Sequence, residues 1–255
     1  MRGHILRTGM ALFSSPDIPA GGSGSYSMLM MKKTVFVVTG GELGDPAFLR
    51  DQVEAVKPKA MICADRGARH LHAAGIVPTL IVGDMDSLDV ESARRYEALG
   101  CRFIRHPREK DETDTELALR EAFGRAPSEV WIWGAMGYRI DHTLANLSLL
   151  VQGVEQGVAV KLIDEWCEVF LVTRRMVLEG ETGQTVSLFP FAGDVTGVTL
   201  TGFEYPLTKA VLAVGHPRGT SNRLAASRGI IEIDAGCLLA VRYFRPGEFP
   251  GEVRR

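Results

Sequence analysis

The sequence predicts an α/β domain with a mostly parallel sheet, followed by a small C-terminal β-sandwich. Three observations carry this. Between residues 34 and 172, short apolar runs alternate with helical periods, as in a sheet covered on both faces. After about Arg174 the helical periods stop, and short apolar runs broken by Gly, Pro and Asp take over. The chain has 255 residues, 45% of them hydrophobic, enough to bury the cores of both parts. The boundaries are an α/β domain over residues 32–173, a β-sandwich over 174–247 and a tail over 248–255.

The elements follow in order. Residues 1–31 have no period, contain a Gly/Ser stretch and place Met28, Met30 and Met31 just before the first strong strand. Arg2 and Arg7 precede any acidic residue, as in a targeting segment, but the apolar run 10–13 is short for a signal-peptide core. The segment reads as a disordered extension or the product of an upstream start codon. "TVFVVTGG" is a buried strand ending in glycines, and "DPAFLRDQVEAV" a helix with Pro46 near its start. The strand "KAMICAD" leads to a short helix, "ARHLHAAG", closed by Gly75. "TLIVGD" is a strand, and "DVESARRYEALG" a helix with Asp89 as N-cap and Gly100 as its stop. "RFIRHP", the helix "DTELALREAFG", the strand "EVWIWGA" and the helix "DHTLANLSLLVQGVEQG", capped by Asp141, continue the alternation. "VKLIDE" and "CEVFLVT" complete the first part. "RMVLEG", "QTVSLFPF", "TGVTLTG", "KAVLAV", "IIEIDAG" and "LLAVRYF" are the strands of the second.

Several function classes drop out. The net charge is −2 with no basic block, so no nucleic-acid partner is expected. No apolar run approaches the roughly 18–20 residues that span a bilayer, so no membrane is expected either. Cys63, Cys101, Cys167 and Cys237 form no C-x-x-C pair, which points to reduced thiols in a cytoplasmic protein. There is no G-x-x-x-x-G-K-[ST], and no G-x-G-x-x-G after the first strand.

In an open α/β sheet, ligands bind at the carboxyl ends of the strands, and every unusual cluster falls there. Gly40 and Gly41 end the first strand, and Asp65, Arg66 and Gly67 the second. "GDMDS" follows the third, with Asp84 and Asp86 two apart in extended chain and so on one side. Lys110, Asp111, Thr113 and Asp114 follow the fourth. Gly134 and Gly137 end the fifth and lead to Arg139, Asp141, His142 and Asn146. Asp84 and Asp86, with Asp111 or Asp114, suit a hard divalent ion, and magnesium commonly takes one or two carboxylates plus substrate phosphates. The glycines allow close backbone approach with amides aimed at phosphate. Arg139 suits phosphate oxygens or a leaving group. His142 reads as a half-buried first-turn histidine. His70 and His72, two apart on a helix, diverge and are poor metal ligands.

Taken together, "ADRGA", "GDMDS", "KDETD", "GYRIDHTLAN" and "GTSN" resemble, in order and spacing, the thiamine pyrophosphokinase (thiamine diphosphokinase) family, over residues 34–243. The resemblance implies a homodimer with active sites between subunits, moving diphosphate from ATP to the hydroxyethyl group of thiamine and releasing AMP. It implies magnesium on Asp84, Asp86 and Asp114, with Asp111 close by. Asp65, Thr113, Arg139, Asp141 and Asn146 match positions lining the nucleotide and substrate cleft, with Lys110 or Arg139 supplementing the metal. Ser221 and Asn222 match the pair near the thiamine pyrimidine. Asp111 or Asp141 is the expected proton acceptor. Arg66, Tyr138 and Arg223 depart from the family's commoner residues, the first two standing where glycine is usual. The alternatives are a kinase or pyrophosphokinase for another heterocyclic alcohol, and a catalytically silent sensor binding nucleotide or thiamine diphosphate.

Overall fold

The computed structural model describes residues 33–250; the expected extension over 1–31 and the end of the expected tail lie outside them. The expected alternation is present. In chain order it comprises β1 (Thr34–Val38), α1 (Pro46–Val56), β2 (Ala60–Ala64), α2 (Ala68–Ala74), β3 (Leu80–Gly83), α3 (Val90–Ala98) and β4 (Arg102–Arg105). Then come α4 (Asp114–Phe123), β5 (Glu129–Trp133), α5 (Ile140–Gln156), β6 (Ala159–Ile163) and β7 (Cys167–Val172). Side-chain caps set several helix starts. Asp45 accepts from the Ala47 amide at 2.8 Å, Asp89 from Ser92 at 2.8 Å and Thr113 from Glu116 at 3.1 Å.

Strands β1 to β6 are parallel in the spatial order 4-3-2-1-5-6, so the winding direction reverses between β1 and β5. Helix α4 makes that reversal, packing across β3, β2 and β1. Alternate residues of each strand feed opposite layers. Val35 and Val37 join Leu117, Leu119 and Leu150 of α4 and α5, while Phe36 and Val38 join Leu49, Leu71 and Tyr96 of α1, α2 and α3.

The second part comprises β8 (Arg175–Glu179), β9 (Thr185–Pro190), β10 (Val195–Thr201), β11 (Leu207–Leu212), β12 (Asn222–Arg223), β13 (Arg228–Glu232) and β14 (Leu238–Tyr243). It does not build a sheet wholly its own. Strand β7 pairs antiparallel with β14 along its full length, from Leu238 opposite Val172 to Tyr243 opposite Cys167. Strands β9 and β12 extend the same sheet to ten strands, across the boundary drawn at residue 173. The four-stranded sheet β11-β10-β13-β8 covers its antiparallel end. Between them lies a second core that includes Val186, Leu188, Val198, Leu212, Ile231 and Leu238.

Candidate active site

Three carboxylates from separate segments meet at the carboxyl ends of the parallel strands. Asp65 opens a single 3-10 turn after β2 and is buried, 3% exposed. Asp84 follows the last residue of β3, and Asp114 is the first residue of α4. One carboxylate oxygen from each lies within 4.8 Å of the other two. Gly83 makes this approach possible. At its φ of +151° a Cβ would stand 2.7 Å from Asp65 Cβ and 3.4 Å from Asp114 Cγ.

The electrostatics mark the cluster as incomplete. Burial pushes the Asp65 carboxyl above its ordinary range; the Ser87 hydroxyl opposes this, and Asp114, Asp84 and Asp86 add to it. Oδ1 of Asp65 and Oδ1 of Asp114 are buried without a hydrogen bond. Lys110 Nζ stands 2.9 Å from Asp114 Oδ1, an ion-pair distance outside hydrogen-bonding angles, and donates to the Pro107 carbonyl at 3.2 Å. A buried carboxylate oxygen without a partner, as Asp65 Oδ1 is, is costly, and a hard divalent cation taking oxygen ligands satisfies it. Asp86 lies on the exposed rim. Its amide donates to Asp84 Oδ1 at 3.1 Å, and its own Oδ1 accepts from the Ser87 hydroxyl at 2.9 Å, the main cause of its lowered pKa. The inner triad is therefore completed by Asp65, which the resemblance matches to the nucleotide and substrate cleft rather than to the metal.

The triad opens into a cavity of about 550 Å³ bordered by Gly40, Gly41, Asp65, Asp84, Asp86, Thr113, Asp114, Gly134, Arg139 and Asn146. Lys110, Asp111, Asp141, Ser221 and Asn222 do not border it. Asn146 is buried and donates to the Ala135 carbonyl at 2.7 Å, fixing the loop between β5 and α5. That loop is joined to the one after β1: the Gly41 amide donates to the Gly134 carbonyl at 2.8 Å and the Glu42 amide to Met136 at 2.9 Å. A Cβ on Gly41 would stand 2.4 Å from the Gly134 oxygen. The Gly41 amide, expected to face phosphate, is thus already used, and this glycine serves the close contact between loops. Charge for an anionic ligand comes instead from side chains bordering the cavity, Arg66, Arg69 and Arg139.

Two other expectations are corrected. The N-cap of α5 is Arg139, without a side-chain cap, and Asp141 lies inside the first turn. Asp141 is not capping because its carboxylate is engaged: Arg139 Nε and Nη2 donate to Oδ1 and Oδ2 at 2.9 and 2.5 Å. This pair holds the Asp141 carboxyl well below the usual carboxylate range. His142 is exposed rather than half-buried.

In the second part, Asn222 is buried and accepts from the Tyr205 amide at 3.0 Å while donating to the Tyr205 carbonyl at 2.8 Å. Ser221 is exposed in a left-handed conformation, φ +57°, its amide donating to Ser187 Oγ at 2.9 Å.

Comparisons with known proteins agree with one another. Residues 54–162 match the family model described as the thiamin pyrophosphokinase catalytic domain, and residues 174–238 match the thiamin pyrophosphokinase vitamin B1 binding domain. The chain is 35% identical over 183 residues to thiamine pyrophosphokinase of Bacillus subtilis, covering 71% of this chain and 86% of that one. It superimposes on the crystal structure of a Bacillus subtilis thiamine pyrophosphokinase with a TM-score of 0.74 at 32% identity, covering 83% of this chain and 99% of that one. The Geobacillus thermodenitrificans structure gives 0.71 at 26% identity, with 84% and 99% coverage. With both domain models matched in order and the acidic triad seated in the catalytic one, the chain belongs to the thiamine pyrophosphokinase family.

Proposed function

We propose that this protein transfers the terminal diphosphate of ATP to the hydroxyethyl oxygen of thiamine, yielding thiamine diphosphate and AMP. The observation that carries the reading is the triad of Asp65, Asp84 and Asp114, with Asp65 Oδ1 buried and without a partner, at the wall of a cavity large enough for a nucleotide. Asp84, Asp114 and Asp65 would hold magnesium, with Asp86 at the rim. Bound there, the ion supplies charge neutralisation for the phosphate oxygens.

The thiamine hydroxyl oxygen forms its bond to the β-phosphorus as the bridge from that phosphorus to the α-phosphate oxygen breaks; AMP leaves with the bridging oxygen, and the hydroxyl proton passes to water. Such a transfer depends on alignment and charge stabilisation far more than on covalent help from the protein. This suits the surroundings of the two expected proton acceptors: Asp141 is bound to Arg139, and Asp111 is exposed outside the cavity. Arg139 borders the cavity, and among the described residues its Nη1 has no hydrogen-bond partner, which leaves it as a donor for phosphate oxygens.

We assign nucleotide binding and catalysis to residues 32–173 and thiamine binding to 174–247. Ser221 and Asn222 do not border their own chain's cavity, so a second copy is the proposed source of the thiamine-binding surface, in a homodimer. Among the described residues no helix is long and apolar enough to cross a membrane, and all four cysteines are free, which supports a cytoplasmic location. The test is to mix protein, magnesium, ATP and thiamine and to measure AMP against ADP. AMP with thiamine diphosphate in equal amounts is expected. ADP, or turnover indifferent to thiamine, refutes the reading.

A further inference from the structure

Arg66 follows Asp65 in the turn after β2, and its stem crosses the carboxyl end of β1. A Cβ on Gly40 would stand 2.4 Å from Arg66 Cβ and 3.4 Å from its Cγ and Cδ, so Gly40 leaves the channel in which the stem lies. The guanidinium reaches the segment after β3, where Nε donates to Ser87 Oγ at 3.3 Å. Ser87 in turn donates to Asp86, so the arginine is tethered to the rim of the acidic triad. Arg66 is thus laid over the ends of three neighbouring strands, bordering the same cavity as Asp84, Asp86 and Asp114.

The three arginines of that cavity differ in what they have left to give. Arg139 spends Nε and Nη2 on Asp141, and Arg69 spends Nη2 on the Gly40 carbonyl at 2.8 Å. Arg66 spends Nε alone; among the described residues neither of its Nη atoms has a partner. A planar guanidinium anchored through Nε presents its two Nη groups as a fork that matches two phosphate oxygens. The Gly41 amide, which would otherwise serve as a backbone cradle, is already bonded to Gly134.

We propose that Arg66 is a phosphate-binding residue of the nucleotide site, gripping polyphosphate oxygens of the nucleoside triphosphate through its Nη fork, beside the oxygens that the triad's metal would cover. This rests on the cavity's reading as the nucleotide site. An alternative role for the same charge is as a resident counter-ion of Asp86, whose pKa it helps to lower. The two roles make opposite predictions for metal.

The experiment compares wild type, Arg66→Ala and Arg66→Lys by steady-state kinetics, and by calorimetric binding of a non-hydrolysable ATP analogue, AMP and adenosine with magnesium present. If Arg66 grips phosphate, Arg66→Ala raises KM for ATP about tenfold or more, as expected for a lost charged hydrogen bond. It weakens the ATP analogue similarly, leaves adenosine binding within twofold, and leaves KM for thiamine within twofold. Arg66→Lys, with one charge but no fork, recovers part of the loss. Unchanged affinity for the ATP analogue overturns the proposal. So does a fall in the magnesium concentration needed for half-maximal rate with KM for ATP unmoved, which makes Arg66 a counter-ion only. A wild type that binds the ATP analogue but forms no AMP from ATP and thiamine refutes the proposed reaction and leaves the Arg66 comparison intact through its binding arm. Melting temperatures of both variants within about two degrees of wild type show that the fold is retained, and a larger fall in Arg66→Ala with equal losses for all ligands counts against a phosphate contact.

Discussion

Replacing Asp65 by Asn should stabilise the metal-free protein and abolish its turnover. Two unit charges 4.8 Å apart repel by about 3.5 kcal/mol at an effective dielectric of 20. Asp65 faces two such neighbours, but Asp84 and Asp114 are only half-buried, so water screens much of this and a net gain of about 1–2 kcal/mol is reasonable. The amide of Asn is nearly isosteric, tolerates a positive φ, and can donate to the neighbouring carboxylates, so no new unpaired donor offsets the gain. For a folded region of this size, the gain corresponds to a rise of about 2–8 °C in melting temperature. The pH dependence gives a second handle. Because the folded-state pKa of Asp65 is raised, its proton stabilises the fold fully below the unfolded carboxyl value near 4 and is lost as pH climbs through the raised value. Wild type and Asp65→Asn should therefore melt closer together at pH 4 and separate towards pH 7. Scanning calorimetry without metal, with and without magnesium plus an ATP analogue, reads both effects. The variant should lose the ligand-induced shift and at least about a hundredfold in rate. Equal or lower stability at pH 7 in the absence of metal, together with normal turnover, would refute the triad.

Gly83→Ala should destabilise by about 2 kcal/mol or more, because its Cβ would press on Asp65 in a backbone region alanine avoids; calorimetry and the magnesium dependence of the rate should fall together. Asn222→Ala removes both hydrogen bonds to Tyr205, about 1 kcal/mol each, so its melting temperature should drop even without ligand. An Asn222 variant of normal stability with only weakened thiamine binding would contradict that clamp. Ser221→Ala should raise KM for thiamine by up to about tenfold and leave KM for ATP nearly unmoved, and an effect confined to ATP would reverse the assignment of the two parts.

What was legible in the chain was mostly local. Asp89 stands where a cap is needed and does cap, and Gly75 ends α2 in the left-handed conformation that glycine permits. The strand-end clusters were equally plain, because sheet topology sends every βα turn to one side. What escaped depends on which strands become neighbours. Asp65 reads as one acid beside an arginine until β2 is set beside β3 and α4 is laid across both. Strand β12, two residues long, is too short for any alternation to show. Asp141 matches the capping rule by residue type, but a bidentate arginine two positions earlier competes better for its carboxylate. Gly41 matches the phosphate-cradle pattern, and the close packing of two loops claimed it.

The union of β7 with β14 sets a limit on how the molecule can be divided. A fragment ending near residue 173 would keep every carboxylate of the triad, yet it would turn β7 from an interior strand into a bare edge. Its six residues, buried save for Leu171, would then offer unpaired amides and carbonyls flanked by Val169, Phe170 and Val172, a template for adding further strands. Such a fragment should aggregate rather than bind nucleotide. The second part thus also acts as a cover that keeps the parallel sheet from exposing an open edge.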